Sequence, residues 1–248
     1  MHSPHLLGIL GGLGPMASAY FYEMITAHTD AERDQDHIDM ILSSRASTPD
    51  RTEFIMGRSE DSPLPAMIED ARALEAFGAR AIVIPCNTAH YFIEQVRASV
   101  SVPVPSIILE TARFVRLSGC RKVGILATEG TIHARAYQDA LEREGVAWAV
   151  PDGAGQNALM EIIYSYVKRG ILADPEMLYR VARPLQAAGC DAMILACTEL
   201  SVAARECGGD PLFVDSLEVL AYRAITMCEK KTKGFRADFA RMDGAAMI

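Results

Sequence analysis

Gly78-Ala79-Arg80-Ala81-Ile82-Val83-Ile84-Pro85-Cys86 and Gly189-Cys190-Asp191-Ala192-Met193-Ile194-Leu195-Ala196-Cys197 share one pattern. Each opens on Gly, places Ala three residues later, continues as an apolar run and ends on Cys. A short apolar run bounded by turn signals reads as a strand buried on both faces, the habit of parallel sheets covered by helices. A second pair keeps the same order: Leu7-Gly8-Ile9-Leu10 precedes the first segment, and Val123-Gly124-Ile125-Leu126 precedes the other. The offsets, 111 and 116 residues, imply two similar α/β halves, 1–110 and 111–228 in sequence order, with the C-terminal helix free to cross back. The polar run Lys230-Lys231-Thr232-Lys233-Gly234 breaks the pattern, so 229–248 reads as an exposed tail.

Between these segments the apolar spacing turns helical. Met67, Ala71, Leu74 and Phe77 share a face, and Gly78 follows as a stop. Leu159, Ile162, Ile163, Tyr166 and Val167 do the same ahead of Gly170. Asp174-Pro175-Glu176 has the cap and first-turn proline of a helix start. Further strands are expected at Leu6–Leu10, Ile38–Leu42, Ala79–Pro85, Lys122–Ala127, Ala192–Ala196 and Leu212–Val214. Alternation of this kind gives an α/β fold with mainly parallel sheets and right-handed crossovers.

Composition narrows the function. The chain has 248 residues, 50% hydrophobic and 23% charged, which is globular. Its 32 acidic and 24 basic residues leave a net charge of −8, against nucleic-acid binding and against docking on anionic membranes. No apolar stretch approaches the ~20 residues of a membrane span. The six cysteines form no CxxC, and the N-terminus lacks a basic leader, so reduced thiols in the cytoplasm are expected. His28 and His37 lack metal-ligand spacing, and no metal is expected. The loop Gly11-Gly12-Leu13-Gly14-Pro15 lacks a P-loop lysine and a dinucleotide fingerprint; it suits close approach of backbone to a small anion.

Cys86 and Cys197 are the chemically suggestive residues. Each follows a buried strand and precedes a helix start, Asn87-Thr88 or Thr198-Glu199. Ligands of open α/β sheets bind beyond the carboxyl ends of strands, where free N–H groups favour thiolate or carboxylate. Two equivalent thiols facing one interdomain cleft suit a reaction that removes a proton from one face of a stereocentre and returns one to the other. A single cysteine at a strand end, by contrast, is ordinarily a small buried hydrophobe, and Cys120, Cys190, Cys207 and Cys228 read that way. His90, one turn after Cys86, reads as a packing group or a hydrogen-bond partner, and His133 lies near the expected cleft.

Taken together, Gly11-Gly12-Leu13-Gly14-Pro15, Pro49-Asp50-Arg51-Thr52, Pro85-Cys86-Asn87-Thr88-Ala89-His90 and Cys197-Thr198-Glu199 resemble the aspartate/glutamate racemase family, specifically its aspartate racemase branch. The resemblance spans both halves and leaves out the tail. It implies two pseudo-twofold related α/β domains with the active site in the cleft between them, no cofactor, and cysteines as proton donor and acceptor, here Cys86 and Cys197. It implies substrate contacts at Asn87, Thr88, Thr198 and Glu199, with Gly12, Leu13 and Thr48 beside them. Arg51 is similar to the residue that grips a substrate carboxylate, and Lys168 resembles a second such contact. It implies a small dicarboxylic amino acid as substrate, aspartate and also glutamate, and a homodimer.

The second motif departs from the Cys-Thr-His-Tyr of glutamate racemases, which favours aspartate. Ser43–Thr48 differs from the Asn-containing stretch of the family, and Arg45 there offers a second cation for a dicarboxylate. Same-fold alternatives are a hydantoin racemase, a maleate isomerase or an arylmalonate decarboxylase. An alternative of another class is a small-anion binding protein without turnover.

Overall fold

In the computed structural model, which describes residues 5–243, the repeated segments become neighbouring strands in each of two parallel sheets. The first holds β1 (Leu7–Gly11), β2 (Met40–Ser44) and β3 (Ala81–Val83), in the order β2-β1-β3. The second holds β4 (Lys122–Ala127), β5 (Ala147–Ala149), β6 (Ala192–Ala196) and β7 (Phe213–Asp215), in the order β5-β4-β6-β7. The repeat is visible in this order. β1 and β3 are neighbours in one sheet, as β4 and β6 are in the other, with Leu7 opposite Ala81 and Val123 opposite Ala192. All of β1, β3 and β6 is buried, as continuous apolar runs in a covered parallel sheet require.

The strand at Lys122–Ala127 and that at Ala192–Ala196 have the expected bounds; the others shift by a few residues, and β3 is shorter than the apolar run around it. Pro85 explains part of that, since it has no N–H to give a ladder. Strand β5 was not expected: Ala147-Trp148-Ala149 is short and sits at a sheet edge, too little for a periodicity to show.

Helices cover both sheets. Leu64–Phe77 ends on Gly78 at φ 115°, a left-handed conformation that glycine adopts without steric cost. Pro175–Ala187 starts on Asp174, whose side chain accepts from the Glu176 N–H. The helix expected through Leu159–Val167 is irregular: Gly153–Met160 is α, Glu161–Tyr166 is π and Val167–Arg169 is 3-10. Such interruptions recur at functional sites because they re-aim side chains. Here the irregular stretch carries Tyr164 and Lys168.

Ser216–Met227 packs against both Pro15–His28 and Ile107–Leu117, and one apolar cluster includes residues of both sheets. The chain beyond Met227 differs from the exposed tail expected over 229–248. Thr232 bridges to Thr29, the Lys233 N–H donates to the His28 carbonyl, and Phe239 and Met242 are buried. Phe239 lies 4.4 Å from Phe114, centroid to centroid. The lysines set the local polarity, but Phe235, Phe239 and Met242 supply the apolar surface that docks the segment. Residues 244–248 of that expected tail lie outside the described residues.

Candidate functional site

The sheets present the ends of β3 and β6 to a common cavity. It is lined by Cys86, Asn87 and Thr88 after β3, by Cys197, Thr198 and Glu199 after β6, and by Leu13, Asp50, Arg51, Thr52, Thr128, Tyr164 and Lys168. Its volume is about 10 Å³, room for roughly one water. A second cavity of about 330 Å³ opens beside it and shares Leu13, Asp50, Arg51, Lys168 and Glu199. Gly12, Thr48, Met16 and Val167 also line this outer space. The two expected acid/base cysteines and the nine expected substrate contacts, Arg51, Asn87, Thr88, Thr198, Glu199, Lys168, Gly12, Leu13 and Thr48, therefore all line one or both cavities, and Arg45 does not.

Each is placed by a local device. Asp50 caps the helix Arg51–Ile55, accepting from Thr52 and Glu53 N–H groups on Oδ1. Its other oxygen accepts from Lys168 Nζ at 2.9 Å, and Tyr164 Oη donates to the same carboxylate. Lys168 also sits 3.8 Å from the centre of the Tyr164 ring, a cation–π contact. Asp50 is held below the usual carboxylate range by Lys168 and Arg51, which outweigh its burial. Asp50 and Tyr164 escaped the sequence reading. Asp50 stood in the quoted motif, but only the fold brings residues 118 positions apart into contact.

Arg51 is 7% exposed. Its Nη1 donates to the Pro49 carbonyl at 3.1 Å and its Nη2 to the Leu13 carbonyl. Its Nε is buried with no protein partner among the described residues. The glycine-rich loop thus orients the arginine. The Gly12 N–H is taken up by Ser18 Oγ at 2.9 Å. Gly12 itself sits at φ 80° against the Arg45 backbone, where a Cβ would lie 2.4 Å from the Arg45 nitrogen. Arg45 does not serve as the second substrate cation expected from its position. Its guanidinium is spent on Asp70, with Nη2 at 2.6 Å, and on Glu69, and it lines neither cavity.

The two thiols differ in surroundings. Burial raises both above the ordinary thiol value. At Cys86 the Arg51 guanidinium opposes that rise. At Cys197 burial is compounded by Glu199, whose Oε2 accepts from the thiol at 3.1 Å, and the value is pushed well up. Glu199 is buried and its Oε1 has no protein partner among the described residues. Thr88 Oγ1 is 3.0 Å from the hydroxyls of both Thr128 and Thr131, which ties the loop after β3 to the turn after β4. Thr128 also caps the helix Glu129–His133. Thr128 is a preferred cap residue directly after a strand, and that signal could have found it.

His90 is fully accounted for by its own bonds. Its Nε2 accepts the Ile107 N–H at 3.1 Å, so the ring proton sits on Nδ1 and donates to the Cys86 carbonyl at 2.8 Å. It is a neutral clamp under the loop, with its value held down to about 4 chiefly by burial. His133 ends its short helix and lines neither cavity. Cys120, Cys190, Cys207 and Cys228 lie outside both cavities. Among the described residues no group of His, Cys, Asp and Glu is arranged to hold a metal, and no helix is long and apolar enough to cross a membrane.

The chain is similar to known proteins along most of its length. The sequence model of the Asp/Glu/hydantoin racemase family matches residues 10–224. The fold is similar to that of the Picrophilus torridus aspartate racemase, with a TM-score of 0.83 and 31% identity over 96% of this chain and 99% of that one. It is also similar to an aspartate racemase homologue from Pyrococcus horikoshii OT3, with a TM-score of 0.72 and 28% identity over 90% and 98% of the two chains. Among curated proteins, a broad specificity amino-acid racemase of Bacillus subtilis (strain 168) is 27% identical over 227 residues, 89% of this chain and 97% of that protein.

Proposed function

This chain belongs to the Asp/Glu/hydantoin racemase family, and from that premise we propose that it interconverts the enantiomers of a dicarboxylic amino acid, aspartate first, using Cys86 and Cys197 as its two acid/base groups. The observation that carries the reading is the convergence of both thiols, each from the end of a different sheet, on one cavity that also holds Arg51 and Lys168.

The charges of the site support unequal roles for the two thiols. Arg51 favours the ionised form of Cys86, while Glu199 keeps the proton on Cys197. The reactive state is therefore a Cys86 thiolate facing a Cys197 thiol. The Cys86 sulfur takes the α-proton, the electron pair spreads into the substrate carboxylate, and the Cys197 thiol delivers its proton to the opposite face. The roles reverse for the other enantiomer. The enantiomers are equal in free energy, so unequal thiols set the pH of activity and leave the product ratio at one.

The α-proton is a weak acid and a thiolate a modest base, so the developing negative charge needs fixed donors. The Asn87 amide, which lines the cavity, is such a donor, while the Arg51 guanidinium with its uncommitted Nε–H takes the substrate's side-chain carboxylate. The unpartnered Glu199 Oε1 is a fitting acceptor for the substrate ammonium, whose positive charge lowers the barrier to proton loss. The 10 Å³ inner cavity is far smaller than an amino acid. Substrate therefore enters from the 330 Å³ outer cavity, and the cleft opens to admit it.

The test is proton NMR of the purified protein with L-aspartate, and separately D-aspartate, in deuterated water without added cofactor. Loss of the α-proton signal with appearance of the other enantiomer is the expected result. Absence of exchange with aspartate, glutamate and a hydantoin would overturn the reading.

A further inference from the structure

Behind the cavity wall a chain of buried hydrogen bonds joins the two cysteine loops. Tyr137 Oη lies 2.6 Å from Asn87 Oδ1, Asn87 Nδ2 lies 3.0 Å from Ser216 Oγ, and Ser216 Oγ lies 2.7 Å from the Leu195 carbonyl. Asn87 directly follows Cys86, and Leu195 stands two residues before Cys197. Tyr137 and Ser216 are each 0% exposed, and neither lines the cavity.

The chain can run in one direction only. The Leu195 carbonyl cannot donate, so the Ser216 hydroxyl spends its proton there and can only accept from Asn87. The Asn87 nitrogen must then face Ser216, and its oxygen must face Tyr137, whose hydroxyl donates. A flip of the Asn87 amide would set its oxygen against the Ser216 oxygen, two acceptors face to face, and would take from the Tyr137 hydroxyl its acceptor, which is costly in a buried place. Among the described residues one Nδ2 proton remains uncommitted, on a residue that lines the cavity.

Resting on the racemase reading above, we infer that Tyr137 and Ser216 are positioning residues that lock Asn87 as a hydrogen-bond donor toward the substrate. In that state Asn87 meets a carboxylate or enolate oxygen and does not serve as the acceptor for the ammonium. The same chain ties the loop after β3 to the end of β6 and so fixes the two cysteines relative to one another.

Two measurements on the full chain test this. The protein has only two asparagines, Asn87 and Asn157, so selective ¹⁵N-asparagine labelling yields two side-chain amide signals, and Asn87→Ala identifies the one from the site. Tyr137→Phe and Ser216→Ala are each expected to speed hydrogen exchange at the Asn87 amide by about tenfold or more while Asn157 is unchanged. Equal Asn87 exchange in wild type and both variants overturns the inference. The second measurement is a double-mutant cycle on aspartate α-proton exchange. Tyr137→Phe is expected to lower kcat about tenfold with little change in KM, and to have no further effect in the Asn87→Ala background. Losses that multiply across the two sites would mean Tyr137 does not act through Asn87. A wild type that exchanges no α-proton would instead overturn the racemase reading, and the amide exchange would still decide whether the lock exists.

Discussion

Replacing His90 by Gln removes a group whose titration the fold forbids, and the effect can be worked from its two bonds. His90 accepts from Ile107 N–H and donates to the Cys86 carbonyl, so only the neutral ring satisfies both. A second ring proton would face the Ile107 N–H. Burial accordingly lowers the value from 6.5 to about 4. A lowered folded-state value contributes stability that is present above the unfolded value and is lost as pH falls toward the folded one. The window is therefore pH 6.5 down to 4. Between neutral pH and about pH 4.5 the unfolded chain binds this proton and the folded chain mostly does not, which costs about 2.5 kcal/mol at about 1.4 kcal/mol per unit. Gln keeps an N–H and a carbonyl but does not titrate. Urea unfolding of both proteins at about pH 7.5 and about pH 4.5 is the assay. The variant starts less stable, but the wild type is expected to lose about 2.5 kcal/mol more on acidification, a midpoint difference of roughly 1 M urea. Equal losses in the two proteins would refute the neutral-clamp assignment.

Cys86→Ser and Cys197→Ser are each expected to abolish racemisation of both aspartate enantiomers, read by chiral chromatography; full activity in either would remove the two-base mechanism. Wild-type kcat/KM should rise from neutral into alkaline pH as Cys86 ionises, because its thiol lies above the ordinary value, and should fall again once Cys197 also ionises. Gly14→Ala would place a Cβ 2.5 Å from Glu199 Oε1 and push that carboxylate off its contact with Cys197. With the negative charge displaced, the Cys197 value drops and the falling alkaline limb should move to lower pH; an unmoved limb would show that Glu199 does not hold the Cys197 proton. Arg51→Ala should weaken aspartate binding by roughly tenfold or more and alanine binding less, measured calorimetrically. Equal losses would mean that Arg51 does not read the side-chain carboxylate.

The internal repeat was the most legible feature. Leu7–Leu10 with Ala81–Val83, and Val123–Leu126 with Ala192–Ala196, carry the apolar runs of covered parallel strands, and both pairs became adjacent strands. Less was legible where polarity and packing disagree. The lysines of 230–233 announce an exposed segment, yet Phe239 and Met242 bury themselves against the helix Ile107–Leu117 and its neighbours. Arg45 shows the reverse: it lies next to the right motif, but Asp70 and Glu69 from a neighbouring helix occupy it. Neither outcome has a periodicity, because each depends on a partner far away in sequence.

What the sequence alone determined was local in origin. Side-chain periodicity, β-branched runs, proline and glycine at turns, and the same motif at two places make two parallel-sheet halves with a thiol at the end of a strand in each. These follow from backbone sterics and from the burial of apolar residues a few positions apart. Tertiary structure alone decided how unlike the two thiols are and which way the polar groups around them point. Arg51 beside Cys86, Glu199 bonded to Cys197, Lys168 on Asp50, and Tyr137 and Ser216 on Asn87 are arrangements of charge and hydrogen bonds in a water-poor interior. There the dielectric is low and each donor and acceptor must find its partner, so the contacts across the fold, several of them between residues far apart in the chain, fix the chemistry.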